Sequence, residues 1–158
     1  MTETTIAVRH ALTVRAPVER AFAVFTERLG TWWPLDPYSI GESRAVDAAL
    51  EPRVGGRWYE IGEDGAQCDW GHVLTWDPPH RVVQSWEISA DWQPDPTATS
   101  EVEIRFAPTA DGAGTRVELE HRGLETYGAR TDEMRGIFGS ENGWNGLLRA
   151  FAAGVEGA

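Results

Sequence analysis

The stretch that most constrains this chain is its last ordered one, residues 143–155. Trp144, Leu147, Leu148, Phe151, Ala152 and Val155 recur there at the i, i+3, i+4, i+7 spacing. That spacing predicts a helix with one apolar stripe, which is stable only if something covers it. The preceding chain reads mostly as short strands. The natural cover is a curved sheet wrapped around the helix, with any ligand cavity between the two.

The strands follow from alternation. Ile6, Val8, His10, Leu12 and Val14 share one face of a first strand over residues 5–15. His10 is expected to point inward as a core histidine bonded to backbone. After Pro17, a helical first position, Val18, Ala21, Phe22 and Phe25 predict a short helix, which Gly30 is expected to stop. Trp32 and Trp33 before Pro34 predict one further short helical turn.

From Ser43 onward, close turns separate a meander of strands: Val46 to Leu50, 57–61, 67–76 and 81–88. A polar, Pro-rich loop over 91–96 is expected to follow, with its Trp92 free to fold back on the surface. In the last pair, Val102, Ile104 and Phe106 face Val117, Leu119 and His121 across the turn at 111–114. Residues 123–139 show no period and are expected to form an irregular lead into the terminal helix. One domain over 1–158, with an ordered core of about 5–156, is the expected organisation.

Composition narrows the function. The net charge of −11 disfavours nucleic acid and anionic membranes as partners. No run approaches the roughly 18 apolar residues that a spanning helix needs, and residues 1–5 lack the character of a signal peptide, so a cytoplasmic location is expected. All 14 basic residues are Arg. Without Lys there is no P-loop, Schiff-base lysine or Ser-Lys dyad. Cys68 stands alone, so no internal disulfide or Cys-rich zinc site can form. Eight Trp supply large, rigid apolar faces, each with one donor.

Cys68, Asp69 and His72 invite a metal reading. On a regular strand, however, Cys68 and His72 stand about 13 Å apart and Asp69 faces away, so a shared ion requires a bulge. No metal site is assigned. There is no Gly-x-Ser-x-Gly elbow, and the turn with Gly112 and Gly114 joins two strands rather than opening a helix. What remains is a set of inward or potentially inward polar groups, His10, Glu60, His72 and His121, among the tryptophans.

The order of motifs resembles a known family. Pro17-Val18-Glu19-Arg20-Ala21-Phe22, Trp32-Trp33, Pro52-Arg53-Val54-Gly55-Gly56-Arg57-Trp58, Gly71-His72-Val73-Leu74 with Asp77-Pro78-Pro79, Ser85-Trp86, Gly114 to His121 and Gly143-Trp144 are together similar to the activator of heat-shock-protein-90 ATPase-like family. That family belongs to the START and Bet v 1-like helix-grip superfamily, SRPBCC. The resemblance implies an α+β helix-grip fold: a seven-stranded curved antiparallel sheet around a long C-terminal helix, with two short helices after strand 1. The superfamily includes lipid and hormone binders, polyketide cyclases and resistance proteins. The eponymous co-chaperones carry a further amino-terminal domain, for which this chain has no room.

The function expected is binding of a hydrophobic, aromatic or polyketide- or lipid-like small molecule between sheet and terminal helix. Trp32, Trp33, Trp58, Trp86, Trp144 and Leu148 are the candidate walls, with His72 and His121 as polar anchors. No catalytic residue or cofactor is assigned. One alternative is a cyclase- or hydrolase-type enzyme using a cavity His, which requires at least two of His10, Glu60, His72 and His121 to converge. Another is a chaperone-associated module acting through its surface. A homodimer or a chaperone contact stays open.

Overall fold

The computed structural model describes residues 6–35 and 38–157. Strand β1 (Ala7–Val14) leads into helices α1 (Val18–Thr26) and α2 (Leu29–Trp32). The meander follows as β2 (Ala45–Leu50), β3 (Arg57–Gly62), β4 (Gln67–Asp77), β5 (Arg81–Trp86), β6 (Ser100–Pro108) and β7 (Thr115–Arg122). A 3-10 segment, Leu124–Arg130, then enters α3 (Thr131–Gly139). A π-helical turn, Glu141–Asn145, enters α4 (Gly146–Glu156). The sheet is one antiparallel layer in the order β1-β7-β6-β5-β4-β3-β2. This is the helix-grip arrangement: a curled seven-stranded sheet holding the C-terminal helix.

The stripe on α4 is buried as its spacing predicts. Leu147, Leu148, Phe151 and Val155 are all buried, each worth about 1.5–3 kcal/mol by area removed from water. Phe151 meets Phe25 of α1 and Trp32 of α2 edge-on at centroid distances of 5.1 and 5.4 Å. The two short helices therefore close one end of the grip. Within the π turn, Gly143 leaves helical geometry at ψ −132°. A side chain there would strike the carbonyl oxygens of Ile137 and Phe138, so Gly143 makes the corner that lets the π turn pack against the end of α3.

Three sequence expectations change. Gly30 does not stop α1, which ends at Thr26; it lies inside α2, where a side chain would meet Asp47 and the Ala48 carbonyl of β2. Its role is close approach between helix and sheet. The stretch 123–139 is not irregular: Leu124, Thr131, Met134 and Phe138 are buried on the 3-10 segment and α3. His10 is half-buried, and its Nε2 has no hydrogen-bond partner among the described residues, so the expected backbone bond is absent there.

Candidate functional site

Strand β4 sets the geometry of the interior through two irregularities. Trp58 pairs with Gly71 but Tyr59 pairs with Asp69, so Trp70 is an extra residue in the ladder. A second shift falls between Val73 and Thr75. The first bulge turns Trp70 and Gly71 inward and His72 outward. A side chain on Gly71 would strike the Ser85 carbonyl and Trp58 Nε1, which are hydrogen-bonded to each other at 2.8 Å.

Indole donors then lock several of the rings in place, although Trp86 Nε1 is buried without a hydrogen-bond partner among the described residues. Trp32 Nε1 donates to the Val24 carbonyl at 2.9 Å, Trp33 Nε1 to the Tyr38 carbonyl at 2.8 Å and Trp70 Nε1 to Glu60 Oε1 at 2.8 Å. Glu60, 1 % exposed, also accepts from the Ile40 amide at 2.6 Å and the Gly41 amide at 3.1 Å. One buried carboxylate thus pins the loop after α2 to the sheet. Beside it, the Cys68 thiol pKa is pushed up by burial and by the charges of Glu60 and Asp69, which makes it a poor nucleophile.

These elements enclose an apolar cavity of about 430 Å3. Trp33, Tyr38, Ser39 and Ile40 form one side and Trp70, Trp86 and Ile88 the sheet side. Trp92, Ile137 of α3 and Leu147 of α4 complete it. The volume lies within the range of about 300–1,000 Å3 usual for ligand pockets. None of these lining residues is charged. A surface groove of similar volume over β1, β6 and β7 is different in kind, since its Arg9, Arg105 and Arg116 pair with Glu120, Glu103 and Glu118.

Of the residues singled out in the sequence, Trp33 and Trp86 line this cavity. Trp58 lies behind them, with ring centroids 5.3 Å from Trp70 and 5.8 Å from Trp86. Trp144 backs the same wall from the core, 5.6 Å from Trp86. Trp32 packs on Phe25 and Phe151, and Leu148 is buried in the core; Leu147, one residue earlier on α4, reaches the cavity instead.

The two histidines proposed as anchors are elsewhere. His72 is 42 % exposed, with Nδ1 2.8 Å from Glu87 Oε2, while Asp69 pairs with Arg57. Ser85 Oγ also donates to Glu87, so it is not aimed at the imidazole as a nucleophile would be. His121 is fully buried. Its Nδ1 accepts from Trp144 Nε1 at 3.1 Å, which leaves the proton on Nε2, 3.0 Å from Ser100 Oγ. Ser100 Oγ in turn donates to the Trp86 carbonyl at 3.3 Å. Burial holds the His121 pKa down to about 3, so it is a neutral pillar of the core.

Sequence reasoning missed Trp70, Trp92, Tyr38, Ser39, Ile40, Ile88, Ile137 and Leu147 as wall residues. For Trp70 the signal was hidden by the bulge, and for most of the others by their place in loops.

The sequence profile of the family described as Activator of Hsp90 ATPase homolog 1-like protein matches residues 15–156. The chain belongs to that family. No curated protein matches the chain in sequence. Among solved structures, the chain is 38% identical to an anthrahydroquino-γ-pyrone synthase, Txn09, with 94% of this chain and 96% of that one covered and a TM-score of 0.65. It is 30% identical to CalC, a self-sacrificing resistance protein from Micromonospora echinospora, over 96% of this chain and 94% of that one, with a TM-score of 0.67. The Aha1 dimer from Colwellia psychrerythraea has the same fold at 15% identity, 96% coverage of both chains and a TM-score of 0.64. Among the described residues, no helix is long and apolar enough to cross a membrane.

Proposed function

We propose that this protein binds a planar, polycyclic aromatic small molecule of the polyketide type in the tryptophan-walled cavity. The observation that carries this reading is the wall itself: Trp33, Trp70, Trp86 and Trp92 around about 430 Å3, with no charged side chain among the described lining residues. Indole faces favour flat π-systems in stacked or edge contacts. The likeness to an anthrahydroquino-γ-pyrone synthase supports a fused-ring ligand over a linear acyl chain.

That same likeness favours a second reading, in which the cavity holds a reactive precursor while a ring closes. The general base expected from His10, Glu60, His72 and His121 finds no support, because none of the four is a lining residue. Hydroxyls on the wall come from Tyr38 and Ser39, and Tyr38 already donates to the Asn142 carbonyl at 2.5 Å. A surface-acting chaperone module has less support. Outside the cavity mouth, the exposed large apolar residues described are Val46, Val54 and Leu74, short of a contiguous docking patch.

Titration of tryptophan fluorescence with 1,8-dihydroxyanthraquinone, with palmitate as the linear control, tests the reading. The expected result is saturable quenching at one site, with a Kd at or below about 10 µM for the anthraquinone only. Ile137 lies at the mouth and is 37 % exposed, so Ile137→Trp should weaken binding at least about tenfold with little effect on folding. No saturable response to the planar ligand, or an unchanged Kd in Ile137→Trp, contradicts the assignment.

A further inference from the structure

Trp92 is the one described non-glycine residue with a positive φ, at 60°. A bulky aromatic residue is strained there, and such strain persists only where the surroundings impose it. They do so here from several sides. The Trp92 amide donates to the Ser89 carbonyl at 2.9 Å, and Ser89 Oγ accepts from the amides of Asp91 and Gln93 at 3.2 Å. Ile88 bridges to Pro94, closing the turn. From the helical side, Arg130 Nη1 holds Asp91 at 2.6 Å and the Tyr127 hydroxyl donates to the Ile88 carbonyl at 2.8 Å.

The ring so positioned is only partly taken up by the fold. It is 38 % exposed, its ring contact is an edge approach to Phe138 at 6.2 Å, and it lines the cavity mouth. We infer that Trp92 is a specificity-determining contact: its indole closes over the solvent-side face of a flat aromatic ligand seated against Trp33 and Trp70. The inference rests on the cavity reading above and adds to it what selects shape. A flat ring presented across the mouth stacks on a fused-ring ligand and gives a globular hydrophobe of similar apolarity no equivalent contact.

Glycine adopts a φ of 60° without strain, so Trp92→Gly removes the ring while relaxing the turn. The experiment measures Kd for 1,8-dihydroxyanthraquinone and for 1-adamantanol, together with Tm, in wild type and Trp92→Gly. The expected result is about tenfold weaker binding of the anthraquinone, a change of less than about twofold for 1-adamantanol, and a Tm lower by no more than about 5 °C, because relief of the backbone strain offsets the buried part of the ring. Equal weakening of both probes, or of neither, overturns the assignment. So does a Tm lower by more than about 5 °C, which would make the ring a structural plug. A wild-type protein that binds neither probe defeats the cavity reading and this inference with it, an outcome distinct from binding that survives in Trp92→Gly.

Discussion

Glu60→Ala is expected to lower stability by about 3–5 kcal/mol, among the largest effects of any single substitution that leaves the apolar core intact. Glu60 is 1 % exposed and accepts from three donors, the amides of Ile40 and Gly41 and the indole of Trp70. Truncation strands these donors, the Trp70 indole in the buried interior and the two amides at its part-buried edge, at up to about 1–3 kcal/mol each before relaxation. For a chain of this size that is a Tm about 10 °C lower, measured by thermal or urea unfolding. The effect reaches the ligand site because Ile40 lines the cavity and Glu60 holds its loop. Glu60→Gln keeps one acceptor oxygen and should fall between wild type and alanine. A loss below about 1 kcal/mol in Glu60→Ala would show that the loop is held otherwise.

Stability is expected to fall steeply with acid below about pH 6.5, and His121 is the reason. Its folded pKa is held down to about 3 by burial, against an ordinary value of 6.5. The unfolded chain therefore takes up a proton that the folded chain refuses throughout that window. Stability rises with pH where the unfolded state binds more protons, so it is lost as pH drops from about 6.5 toward 3. The gap corresponds to about 4–5 kcal/mol over the full range, or about 1.4 kcal/mol per pH unit.

Glu103 adds to the loss further down. Burial alone would raise its pKa, but hydrogen bonds from Arg81, Arg122 and Arg105 outweigh that and hold it at about 2 instead of 4.5. Its contribution is present above about pH 4.5 and lost as pH falls toward 2. Between pH 6.5 and 4.5 the histidine contribution is separable. His121→Phe, although less stable at neutral pH because Trp144 Nε1 and Ser100 lose their partner, should show a flatter stability-versus-pH slope there by urea denaturation. An unchanged slope would mean that His121 is not the group that stays neutral.

The regular parts of the fold were legible because simple periods report them. Alternation placed β6 and β7 correctly, with Val102, Ile104, Phe106, Val117, Leu119 and His121 all buried, and the 3.6-residue period found α4. Legibility failed where one residue breaks the period. The bulge at Trp70 reverses the parity of β4, sending His72 outward and Trp70 inward. Helix α3 was hidden because its buried stripe is only Thr131, Met134 and Phe138, interrupted by Gly136. At the site, tryptophan content pointed to an aromatic wall, and Trp33 and Trp86 belong to it. Tyr38, Ile40 and Trp92 sit in loops, where position depends on Glu60 and Arg130 reaching across from other elements; no local pattern encodes such a reach.

The protein contains six isoleucines, and Ile40, Ile88 and Ile137 line the cavity while Ile6, Ile61 and Ile104 do not. Labelling their methyl groups and titrating with 1,8-dihydroxyanthraquinone reads occupancy of the cavity directly by NMR. The account predicts saturable shifts of the Ile40, Ile88 and Ile137 methyls, with ligand contacts to all three, and near-constant signals from Ile6, Ile61 and Ile104. Shifts spread evenly over all six methyls, or confined to the second three, would contradict a ligand held among Trp33, Trp70, Trp86 and Trp92.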